Sequence, residues 1–149
     1  MAFLMGRKTV LGFVCGLLLA CASQPQQTTL YQRMGGEAGV RTIVDNFLYE
    51  VGDSALLRPL FNDIDLPRFR TKLAEQLCEI SGGPCRYSGD NMTEVHAGMA
   101  MNNRHFDATV TALTRAMEAA GVDVASQNAM LKKLAAMHGD VMRETIAPE

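Results

Sequence analysis

The chain has 149 residues, enough for one domain, and carries 14 basic against 16 acidic residues for a net charge of −2. That balance supplies no basic face, so a nucleic-acid partner is not expected. Hydrophobic residues make up 48% of the chain, and its 10 methionines suit either irregular core packing or a pocket around a flat apolar ligand.

The N-terminus, "MAFLMGRKTVLGFVCGLLLAC", opens with Arg7 and Lys8 and continues into an apolar run from Val10 to Ala20. The run is too short for a permanent bilayer-spanning helix but fits a secretory signal over residues 1–20. Its end, "LLLAC", resembles the lipobox of bacterial lipoproteins, in which cleavage falls before the cysteine, here Cys21, and the sulfur is lipidated. The alternative is a plain signal peptide cut nearby. Residues 21–29 are polar and Pro-containing and read as a flexible tether. The chain is therefore expected to be exported and lipid-anchored in the bacterial cell envelope, facing the periplasm, with the membrane as a partner through Cys21. Cys15 leaves with the signal, so Cys78 and Cys85 remain as an even pair in an oxidising compartment. The Gly82-Gly83-Pro84 turn between them can bring the two within bridging range. The rival is a metal site, although Cys-x6-Cys without a His-x3-5-His partner is not a zinc spacing.

Next come four helical stripes. Val40, Ile43, Val44, Phe47, Leu48 and Val51 mark a helix over 38–51; Leu66, Phe69, Leu73, Leu77 and Ile80 mark one over 66–80. Asp65 and Pro67 supply its cap and first turn. Phe106, Val110, Leu113, Met117 and Ala120 predict a helix over 104–120, ended by Gly121. Met130, Leu131, Leu134, Met137 and Val141 predict a last helix over 126–142. Shorter pieces are expected at 53–60 and 91–97, and Gly35-Gly36 and Gly82-Gly83 interrupt the pattern. No stretch alternates with period two, so the fold class is all-α. The segment between Ile80 and Arg104 is long, Gly-rich and weakly periodic. A compact helical domain rarely keeps such a loop without something to order it.

That segment contains His96, at the end of "NMTEVHAG" with Met92 and Val95 beside it. An imidazole flanked by apolar groups can offer a nitrogen to haem iron while its neighbours pack the porphyrin. The other two histidines, His105 and His138, carry no such setting. From Leu30 to about Met142 the chain resembles a group I truncated haemoglobin. The resemblance rests on "LYQRMGGEAGVRTIVDNF" at 30–47, "LLRPLF" at 56–61, "GGPCRYSGDNM" at 82–92, "VHAG" at 95–98 and "HFDA" at 105–108, in the family's order and spacing. It implies a truncated globin domain over 30–146, a two-over-two helical sandwich around haem b. It places the proximal iron ligand at His96, a haem-packing phenyl at Phe61 and a propionate contact at Lys72. It assigns the distal face to Phe69 and Leu73, and further haem contacts to Leu77, Met92, Val95, Met101 and Phe106. With no Cys-x-x-Cys-His, the haem is expected to be non-covalent.

The sequence departs from the family at the distal side. The family carries Phe-Tyr on its second helix, the Tyr donating a hydrogen bond to the ligand; here the pair is Phe47-Leu48. Tyr49 follows, but one residue along a helix turns a side chain by about 100°. A second distal position, often Gln, is Leu73, which leaves Gln76 as the remaining polar candidate. Three functions stay open: a globin binding oxygen or another small gas, with nitric oxide dioxygenase activity through an unidentified reductase as one form; a redox or electron-transfer haem lipoprotein; and a helical lipoprotein without haem. No catalytic acid, base or nucleophile constellation stands out.

Overall fold

The computed structural model describes residues 28–143. The expected signal peptide, Cys21 and most of the tether lie outside these residues. All regular structure among the described residues is helical. Helix α1 spans Leu30–Arg33, α2 Gly36–Asp53, α3 Leu66–Ile80, α4 Met92–Val95, α5 Asn103–Ala119, α6 Val124–Ala135 and α7 His138–Val141, with a 3-10 turn at Arg58–Phe61.

The longer helices sit where their apolar stripes predict. Helix α2 buries Val40, Ile43, Val44, Phe47 and Val51. Asp65 caps α3 by accepting the Arg68 N–H at 3.0 Å, with proline in the first turn. Gly121, at φ +75°, follows the end of α5 in the left-handed conformation that glycine adopts without strain.

Helix α2 is central, packing against α5 on one side and α3 on the other. Helix α6 lies on α5, and the short α4 lies on α7. The core between them includes Ile43, Val44, Leu57, Leu77, Met117 and Met130, all at most 1% exposed.

Two expectations change. The stripe at 126–142 is not one helix. The Met137 N–H bonds the Leu134 carbonyl at 3.0 Å, three residues back, so the last turn of α6 tightens and α7 restarts at His138. The expected tether is shortened by two residues: Thr29 caps α1 in a reciprocal box with Gln32, and the Thr28 carbonyl accepts from Arg33 at 2.8 Å.

Candidate functional site

Helix α4 is only one turn long, and its cap fixes where it starts. The Asn91 side chain accepts the Glu94 N–H at 3.0 Å, while the Glu94 carboxylate accepts the Asn91 N–H at 3.2 Å. The turn that follows places His96 at the helix end, with Nδ1 2.8 Å from the Met92 carbonyl oxygen. A carbonyl only accepts, so Nδ1 carries the proton, and in the neutral ring Nε2 keeps its lone pair. The loop before α4 is fastened to α3 by the Cys78–Cys85 disulfide, whose Cα atoms are 5.7 Å apart.

His96 lines a cavity of about 480 Å³ between α3 and α4, within the size range of small-molecule sites. Met92, Val95, Met99 and Met101, near His96 in the chain, line it too, as do Phe106, Val110 and Leu113 of α5 and Leu131 and Leu134 of α6. Helix α3 contributes Phe69, Leu73 and Gln76. Above them Phe47, Phe61 and Phe69 form a mutual aromatic cluster, with ring centroids 6.4, 6.5 and 5.2 Å apart.

The mouth is charged. Lys72 Nζ lies 2.9 and 3.2 Å from the two carboxylate oxygens of Glu75, and Arg68 lies 3.8 Å from Asp90. The Lys72 ammonium, then the Ser88 hydroxyl and amide, hold the Glu75 carboxyl below the usual range. Burial, then the Asp90 and Glu75 charges, push the Tyr87 phenol up, so it stays protonated and donates to the Asp90 carbonyl at 2.8 Å.

The structure brings most of the expected haem contacts to one cavity: Phe61, Phe69, Lys72, Leu73, Met92, Val95, His96, Met101 and Phe106, with Gln76 from the distal set. Three expected residues are elsewhere. Leu77 is 1% exposed in the core and does not line the cavity, because it sits one helical step past Gln76. Leu48 packs against the core, and its predecessor Phe47 takes the cavity position. Tyr49, a further step round α2, is 75% exposed.

Gln76 is the polar group of the distal wall, and its amide nitrogen points at sulfur: 3.2 Å to Met92 Sδ and 3.9 Å to Met137 Sδ. Met137 was not foreseen as a cavity residue; it comes from the break between α6 and α7. Tyr87 was also missed, although it lies inside the 82–92 motif. His105 and His138 do not line the cavity. The His105 Nδ1 is buried without a hydrogen-bond partner, and the His138 ring stands edge-on to Phe106 with centroids 4.5 Å apart.

The model of the bacterial-like globin family matches residues 29–143. A group 1 truncated hemoglobin from Nostoc sp. is 32% identical over 117 residues, covering 78% of this chain and 99% of its own length. Another, from Tetrahymena pyriformis, is 31% identical over 120 residues, covering 80% and 98%. The crystal structure of the Tetrahymena pyriformis truncated hemoglobin in its Fe(III) form superposes with a TM-score of 0.74 at 31% identity, over 76% of this chain and 97% of that one. A Synechococcus 2/2 hemoglobin with covalently attached heme shares the fold, with a TM-score of 0.72 at 20% identity.

Proposed function

The chain belongs to the bacterial-like globin family, matched over residues 29–143, and from that premise we propose that it holds haem b non-covalently through His96 and binds oxygen or another diatomic gas in the cell envelope. The observation that carries this reading is the His96 geometry. Its Nδ1–H is tied to the Met92 carbonyl, which leaves Nε2 with a lone pair, and His96 lines a largely apolar cavity.

The residues present fit the group. Phe61, Phe69 and Leu73 on one side and Met92, Val95 and Met101 on the other suit a flat macrocycle, and Arg68 and Lys72 at the mouth suit its carboxylates. Cys78 and Cys85 are joined to each other, which supports non-covalent attachment. When bound, haem supplies an iron with a position for a gas. The chain's contribution would be to orient the His96 imidazole, exclude water with its aromatic cluster, and decide how polar a ligand is tolerated.

That decision favours apolar ligands. Phe47, Phe61, Phe69 and Leu73 offer no donor, and the amide of Gln76 is engaged with thioethers, which are weak acceptors. Turnover of nitric oxide would require electrons from a partner reductase. The envelope location rests on residues 1–21 and their charged start, apolar run and terminal "LLLAC".

The test is an absorption spectrum of the purified full-length chain after addition of haem. The wild type should show the intense absorption band of protein-bound haem, His96→Ala should lose it, and His105→Ala should keep it. An unchanged band in His96→Ala overturns the ligand assignment. A second reading, electron transfer, draws on the four thioethers of Met92, Met99, Met101 and Met137 that line the cavity. A six-coordinate ferrous spectrum without added gas would favour it; a five-coordinate one favours gas binding.

A further inference from the structure

Both cations at the cavity mouth are already spent. Arg68 faces Asp90 across 3.8 Å with both side chains largely exposed, a weak pair. Lys72 is different. An ammonium has three N–H donors, and here there is an acceptor for each: Glu75 Oε2 at 2.9 Å, Glu75 Oε1 at 3.2 Å and Ser88 Oγ at 2.5 Å. The pair is only 24% and 26% exposed, so solvent and salt screen it less than the other ion pair at the mouth. Glu75 is held in place independently of Lys72, because it also accepts from the Ser88 N–H at 3.1 Å and the Ser88 hydroxyl at 2.9 Å.

A haem propionate is chemically the same group as the Glu75 side chain. We propose that Glu75 competes with a haem propionate for the Lys72 ammonium, and so sets how long the cavity retains its haem. This rests on the haem-binding reading above. Glu75 is a positioning residue: it acts through Lys72 and touches neither iron nor gas. Its carboxylate makes the pocket hold haem less tightly than an unengaged Lys72 ammonium would allow.

The experiment measures the rate at which the full-length holoprotein gives up haem to an excess of apomyoglobin. Glu75→Gln keeps the shape and an oxygen for the Ser88 amide but releases most of the hold on Lys72. It should slow haem loss about two- to fivefold, the range expected for one partly exposed ion pair. In a Lys72→Met background the same change should have no effect, since the competition has lost its object. Faster or unchanged loss in Glu75→Gln, or slowing that persists without Lys72, overturns the proposal. If Glu75 only clamped the loop through Ser88, its replacement would speed haem loss whatever stands at 72. A wild type that takes up no haem overturns both readings, whereas a haem-loaded wild type with an indifferent Glu75→Gln variant overturns this one alone.

Discussion

Phe47, Leu48 and Tyr49 follow one another on α2 and end in three environments: the cavity, the edge of the core and solvent. A motif match identifies the helix, but steps of about 100° decide which residue meets the ligand. This is why the cavity positions of His96, Phe61, Phe69 and Leu73 were legible from the sequence and the placements of Leu48, Tyr49 and Leu77 were not. Gln76 was legible as a polar residue, but its sulfur partners come from other elements and no local pattern encodes them. The arrangement makes a directed prediction. Leu73→Gln places an amide donor in the distal wall. A neutral hydrogen bond contributes about 0.5–1.5 kcal/mol, so oxygen release measured by stopped flow should slow by up to about tenfold, with carbon monoxide release nearly unchanged. Leu48→Tyr, away from the cavity, should not reproduce the effect.

Helix boundaries follow caps and close approaches as much as hydrophobic period. Asp65 and Gly121 announced the start of α3 and the end of α5, and both limits fell within a residue of expectation. The break between α6 and α7 carried no such signal. The spacing of Leu134, Met137 and Val141 stays helix-like through it, and no proline or preceding glycine marks it. Gly39 shows a constraint that periodicity hides altogether. A Cβ there would lie 1.8 Å from the Met34 carbonyl oxygen, where the end of α1 crosses the first turn of α2. Gly39→Ala should therefore destabilise the fold by about 1–3 kcal/mol, as overpacking does, read from the denaturant midpoint. The start of α6 gives a pH-dependent prediction. Asp123 accepts from the Ser126 hydroxyl at 2.7 Å and its N–H at 3.0 Å, which with a lesser contribution from Arg33 holds its carboxyl below the usual range. A depressed carboxyl contributes stability above its unfolded pKa and loses it as pH falls through the folded one. Thermal unfolding should show the wild type more stable than Asp123→Ala at neutral pH and losing that advantage as pH falls below about 4.

Across the whole molecule, the all-helical architecture was legible because four strong stripes required one another's apolar faces, and α2 packs on both α3 and α5 as that demands. The order imposed on the stretch between α3 and α5 was legible in part: the Cys78–Cys85 bridge and a short helix near 91–97 were expected and are present, whereas the Glu75–Ser88 contacts carry no local signal. Replacing both cysteines by serine should lower stability by about 2–3 kcal/mol on the chain-entropy account of so short a loop, measured as a shift in denaturant midpoint with unchanged slope. The other end of the domain is fastened differently. Arg33 donates to the Thr28 carbonyl and, at 3.1 Å, to the buried Ser126 hydroxyl, while the Tyr31 N–H bonds the Ser81 carbonyl at 2.9 Å. Mechanically, tension on the chain at residue 28 is thus shared between the first turn of α6 and the end of α3. A load applied there would reach the domain at two points instead of one, and neither point is the short helix that precedes His96.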